Sequence, residues 1–264
     1  MQQSSSQTSQ NSAKPLLTLI AIITAFAINV VSNIYPLNGQ SIGEISNTLF
    51  KDVLIIPANY AFIIWGVIYL GLFAFGIYQI LPLQKNQTYL NNPRSCIIIA
   101  SIAQCVWVYL FLSRLFVFSV LAMVLILLPL IITYLHLKSN KVPASGIVTR
   151  CVRLPLSIYL GWISVATVVN VASALYYQNW DGWGISEVNW TLIMLGISTL
   201  IATILTLQYR EIPYTCVTVW ALVAIVIKQT NNQPLNIIAI VAMISAIMLS
   251  GIILLRNFSF GQSN

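Results

Sequence analysis

The apolar residues of this chain come in unbroken runs of about twenty, and a run of that length is what a helix needs to cross a hydrocarbon layer about 30 Å thick. Leu115 to Leu137 is the clearest example, apolar on nearly every side with no acid or base in its middle. In lipid the backbone must pair all of its own N–H and C=O groups, which leaves helices or a closed barrel. A barrel strand would alternate polar and apolar residues over about ten positions, and these runs do not alternate. The composition agrees, with 58% hydrophobic and only 6% charged residues, against about 25% charged in a soluble domain. The sequence therefore predicts an all-α, polytopic transmembrane helical bundle, an integral membrane protein in contact with lipid.

Eight spans can be read along the chain: Pro15 to Ile34, Tyr60 to Leu83, Ser95 to Leu112, Leu115 to Leu137, Leu154 to Tyr177, Val188 to Leu207, Ile212 to Ile227 and Leu235 to Leu255. The seventh is the shortest, opened by Pro213 and closed by Lys228, and offers only about 24 Å of helix. Residues 1–14 are mostly Ser, Gln, Asn and Thr, too polar to offset their ordering entropy, and are expected to form a disordered tail. The first span is read as a retained helix, because it is long and lacks a small-x-small cleavage site. Residues 257–264 form a short C-terminal tail.

Basic residues favour cytoplasmic loops. With eight spans, Lys14, Lys85, Arg94, Lys138, Lys141, Arg150, Arg153, Arg210 and Arg256 fall on one side, and Lys51, Arg114 and Lys228 on the other. Nine against three places both termini in the cytoplasm and fits insertion in the cell (inner) membrane. The net charge of +7 is thus explained by helix ends near anionic headgroups, and no nucleic-acid partner is expected. Cys96, Cys105, Cys151 and Cys216 are scattered without metal-ligand spacing, so neither a metal site nor a disulfide framework is indicated.

An ionisable residue deep in a membrane helix marks function because it is expensive there. None of the eight spans carries one at its middle, which argues against a proton-coupled pump, a carboxylate-lined ion path and a paired-Asp protease. His136 stands alone at a span end and reads as an interfacial structural residue. No catalytic residue is identified, and the chain is not expected to be an enzyme.

What the spans do hold is a set of aromatic and amide side chains at helical spacing. Asn29 and Asn33 share a face of the first span, Trp65 and Tyr69 of the second, and Gln104 and Trp107 of the third, while Trp162, Ala166 and Asn170 fall in line on the fifth. Converging faces of this kind would stack a flat apolar molecule and orient it with a few amides. The competing reading is structural, since amides also bond neighbouring helices and Trp and Tyr gather at the headgroup level. Trp180, Trp183 and Trp190, grouped around Asp181-Gly182, are read as such an interfacial belt.

These residues resemble a known family, the tryptophan-rich sensory proteins, also called the translocator protein or TspO/MBR family. Pro57 followed by Trp65-Gly66-Val67-Ile68-Tyr69 resembles the family's Pro and Trp-x-x-Leu-Tyr, and Trp162 through Asn170 is similar to its Trp-to-Asn element. Gln104 and Trp107 stand where the family has Asn and Trp. The stretch Leu37-Asn38-Gly39 through Gly43-Glu44-Ile45-Ser46 to Pro57-Ala58-Asn59-Tyr60 is similar to the longer prokaryotic members. Departures are Asn59 in place of the family's first Trp, Ile63 in place of a Pro and Gln104 in place of an Asn.

The resemblance covers residues 15–177 and implies a five-helix core with an interhelical pocket for porphyrins and other rigid hydrophobic ligands, lidded by residues 36–59. Trp65, Tyr69, Trp107 and Trp162 would be its stacking walls, Gln104 and Asn170 its orienting groups, and Asn29 and Asn33 further polar groups of the pocket or of helix packing. No cofactor is required, and a porphyrin or haem-type molecule is the expected ligand. Residues 178–256 add three helices without a counterpart in five-helix members; they would shield the core or replace the partner of a homodimer. The expected function is membrane ligand binding or sensing. Its rivals are transport of a small hydrophobic solute and photo-oxidative modification of a porphyrin.

Overall fold

The computed structural model describes residues 2–139, 142, 143, 145–232 and 236–261. Lys141, Leu235 and the end of the C-terminal tail lie outside them. The described residues form eight long helices: α1 (Gln2–Ile34), α2 (Ile64–Ile80), α3 (Asn91–Leu112), α4 (Phe116–Leu137), α5 (Leu154–Tyr177), α6 (Glu187–Tyr209), α7 (Ile212–Asn232) and α8 (Ile237–Gly261), joined by connections that include shorter helical segments such as Ile42–Thr48 and by no strand. Seven of them, and α2 taken together with the 3-10 turn Asn59–Ile63 that leads into it, contain stretches long and apolar enough to span a membrane. The seventh span is among them, because α7 runs on through Lys228 and so regains the length that the apolar run alone lacks. The polar N-terminal segment, expected as a tail, is the first part of α1. Once a turn exists, each added residue contributes a hydrogen bond without repeating the nucleation cost.

The chain divides into two compact units, residues 1–41 with 65–160, and residues 42–64 with 161–264. In the first unit α3 packs against α1 and α4. Helix α2 joins them by close approach and by polar contacts. A methyl group at Gly71 would lie 2.9 Å from Pro155 Cβ, so only glycine lets α2 meet the start of α5. Tyr69 Oη donates to the Ala25 carbonyl of α1 at 3.1 Å.

One end of this unit is tied by a buried guanidinium. Arg94 is 0% exposed; its Nε donates to Gln79 Oε1 at 2.8 Å and its Nη2 to the carbonyls of Gln79 and Gln84 at 2.7 and 3.0 Å. Gln79 Nε2 in turn donates to the Pro15 carbonyl at 2.7 Å, which brings α1, α2 and α3 into one network. The hydroxyls of Tyr78 and Tyr89 lie 3.0 Å apart, and His136 Nε2 is 3.0 Å from the Tyr89 carbonyl. His136 therefore links α4 to the start of α3. Read from sequence as a loop charge, Arg94 is instead part of the core, made tolerable there by neutral oxygens that accept from its fork.

In the second unit α6, α7 and α8 pack on one another. The hydroxyls of Thr206 and Thr215 meet between α6 and α7, and Arg256 Nη2 donates to the Leu207 carbonyl. A methyl group at Gly161 would sit 3.2 Å from the Tyr214 carbonyl, so α5 approaches the start of α7 closely. Helix α7 also holds the connection that precedes α2. The Ala58 N–H donates to the Ala224 carbonyl at 3.0 Å, Trp220 Nε1 to the Ala61 carbonyl at 3.2 Å, and Gln229 Nε2 to the Leu54 carbonyl at 2.6 Å. The expected lid of residues 36–59 is thus not one body. Asn38 and Gln40 bond to Leu112 and Arg114 in the first unit, whereas residues 42–64 belong with α7 in the second.

Replacing Arg94 by Leu strands two backbone carbonyls and a buried amide oxygen, and is expected to cost about 3 kcal/mol, read as a lowered thermal midpoint of the detergent-solubilised protein; Arg94→Lys, which keeps the charge but loses the fork, recovers only part of it. Gln229→Leu is expected to speed amide hydrogen exchange across residues 50–60 by roughly fivefold while leaving residues 91–112 unchanged.

Candidate functional site

The eight residues singled out from sequence fall into separate groups. Trp65 and Tyr69, one helical turn apart on α2, have ring centroids 5.7 Å apart. Trp65 also meets Tyr159 of α5 edge-on at 6.1 Å, and Tyr69 meets Phe26 of α1 edge-on at 5.2 Å. Phe26 continues to Phe73 at 5.2 Å. Three helices of the first unit therefore share one aromatic chain, with rings held in the edge-on and offset geometries that their quadrupoles favour. Trp107 belongs to a second group, its ring 5.2 Å from Phe111, which meets Phe116 of α4 at the same distance.

Gln104 lies one turn before Trp107 on α3, is 1% exposed, and neither its Oε1 nor its Nε2 has a hydrogen-bond partner among the described residues. A helix-packing amide would bond a neighbouring helix, and Gln79 of the same unit does so. Gln104 does not. A buried amide without partners carries a desolvation cost of about 1–3 kcal/mol, and such groups are few in native proteins. Asn33 spends its amide on the Asn29 carbonyl of its own helix at 2.8 Å and is exposed; that pair caps its helix locally, with Asn29 itself buried.

The remaining two residues lie in the second unit. Trp162 is 2% exposed, meets Phe62 edge-on at 6.1 Å, and its indole Nε1 has no partner among the described residues. Asn170 is buried two turns further along α5.

A feature that sequence reasoning set aside is also in this unit. A half-open groove of about 770 Å³ runs between residues 53–55, the C-terminal half of α5 and the N-terminal turn of α6. Its walls are apolar, with Val53, Ile55, Val168, Val171 and Leu175 among them. At one end Trp180, Trp183 and Trp190 form a triad with centroid separations of 5.3, 5.4 and 6.1 Å. The loop that carries them is tight, with left-handed backbone at Gly182, Trp183 and Gly184. It is held by Asp181 Oδ1, which accepts the Trp183 N–H at 3.0 Å, and by Trp190 Nε1, which donates to the Gly182 carbonyl at 2.9 Å. None of the eight predicted residues lines this groove. The signal for it was present in Trp180-Asp181-Gly182-Trp183, since Asp-Gly marks a turn and the turn folds one tryptophan back on another.

Among the described residues no group of three or more His, Cys, Asp or Glu is placed to hold a metal ion. The family model described as TSPO-like protein matches residues 15–255, so the likeness continues past Tyr177, where the sequence motifs stop, and takes in the last three helices. No curated protein and no solved structure matches the chain.

Because the Gln104 amide has no partner to lose, Gln104→Leu is expected to leave the unliganded protein as stable as wild type or to raise its stability by about 1 kcal/mol, measured as the thermal midpoint in detergent. A fall of similar size would show that the amide is a packing contact.

Proposed function

The chain belongs to the TSPO-like family, and on that premise we propose that this integral membrane protein binds a rigid, largely apolar ligand of the porphyrin type through the aromatic and amide residues of its spans. The observation that carries the reading is the Gln104 amide, buried with both polar atoms unpaired on the helix face it shares with Trp107. A few polar groups set in apolar surroundings are what fix a ligand's orientation in a membrane-embedded site. An amide offers both a donor and an acceptor, which suits a ring system bearing pyrrole N–H and carboxyl or carbonyl groups.

Trp65, Tyr69 and Trp107 of the first unit supply the stacking surfaces in this proposal. Burial of a large aromatic ligand against such faces is driven by removal of apolar area from water and by ring geometry. Binding of this kind needs no acid–base residue, which is consistent with spans that carry no acid at mid-depth. We further place both termini on the cytoplasmic side, from the eight-to-three asymmetry of the basic residues that remains once Arg94 is counted in the core.

Titration of the purified protein with protoporphyrin IX is expected to quench tryptophan fluorescence saturably. Gln104→Leu should weaken the affinity roughly tenfold without loss of thermal stability, and Trp107→Leu should reduce the quenching amplitude. Absence of saturation, or wild-type affinity in both variants, would overturn the proposal. Vesicle uptake of the same compound separates a binding protein from a transporter, and light-dependent loss of pigment absorbance separates both from an enzyme.

A further inference from the structure

The groove of the second unit carries a charge pattern that the proposed porphyrin site does not use. Its lining includes Asp181 and Glu187 and no Lys, Arg or His, although the chain has 12 basic residues against 5 acidic ones. Asp52 Oδ2 lies 3.5 Å from the hydroxyl of the lining residue Tyr176 but is offset by its interaction with Lys228, which leaves Asp181 and Glu187 as the charges of the groove itself. In a protein of net charge +7, this is a local reversal of sign.

The same end of the groove holds the tryptophan triad. Trp183 is 76% exposed, so its ring is open to a ligand, while Trp180 and Trp190 brace it from behind. Indole faces attract cations through the ring quadrupole, and more strongly where water is thinned out. Glu187 occupies the N-terminal turn of α6. Asp181 holds the loop with Oδ1. The walls away from this end are aliphatic and reach along α5. The volume of about 770 Å³ lies within the range of small-molecule sites.

We propose that this groove binds an amphipathic organic monocation, with its apolar body between α5 and residues 53–55 and its positive centre against Trp183, Asp181 and Glu187. A neutral apolar molecule or an acyl chain would satisfy the walls but not the carboxylates. An anion would be repelled by them. The groove shares no lining residue with the porphyrin proposal, so the two readings stand or fall separately.

The charge-swapped pair tetraphenylphosphonium and tetraphenylborate, nearly equal in size and shape, tests this directly by equilibrium dialysis against the full-length protein in a nonionic detergent. The phosphonium is expected to bind saturably at one ion per chain and the borate without saturation, a preference opposite to that of the protein's net charge. Glu187→Gln and Asp181→Asn, which preserve shape and the turn, should each weaken phosphonium binding roughly five- to tenfold, and Trp183→Leu by a similar factor. Unchanged thermal midpoints in the three variants establish that the loop is intact. Equal binding of both ions, non-saturable uptake of both, or carboxylate variants that retain wild-type affinity would each overturn the proposal.

Discussion

A polar group inside a hydrocarbon layer can bond only to the chain that carries it, and the structure is organised around the few places where that demand is met between helices. The Arg94 network is the principal one. A guanidinium with no carboxylate beside it is supported by an amide oxygen and two backbone carbonyls from the end of α2 and the turn that follows it. The same amide reaches the Pro15 carbonyl of α1. Because apolar helices gain little from one another in lipid compared with lipid itself, such directional contacts, together with glycine-mediated approach at Gly71, fix which faces meet.

The demand also gives meaning to its exceptions. Gln79 and Gln104 are both buried amides of the first unit, yet one bonds three partners and the other none. Identical chemistry in a similar setting is structural in one position and unspent in the other. This contrast, more than any count of aromatic residues, separates the helix-packing amide from the one on which the binding proposal rests, and it is visible only once the neighbours of each amide are known.

Much of the fold was legible before any coordinates. The length of the apolar runs predicted eight helices, and α4 matches the run from Leu115 to Leu137 to within a residue. The faces pairing Trp65 with Tyr69 also followed from helical spacing. Long-range partners were not legible, because hydrogen-bond destinations such as Leu54 for Gln229 depend on how helices meet. Arg94 was misplaced for a related reason: hydropathy records the cost of burying a charge but not the carbonyls that offset it. The Trp180, Trp183 and Trp190 cluster was seen as a composition and missed as a site, since three interfacial tryptophans look alike in sequence whether they anchor separately or stack together.

The attachment of residues 54–61 to α7 has a consequence for how the chain is made. Its two side-chain contacts join residues 159 and 175 positions apart. At ribosomal rates of about 5–20 residues per second, the partner helix emerges on the order of ten to thirty seconds after the segment that it will hold. Over that interval the connection between the first two spans has its acceptor carbonyls unclaimed by α7, in reach of water, headgroups or an insertion factor. A segment near the beginning therefore gains its final contacts only once α7 has been made, and the order of synthesis runs against the order of support.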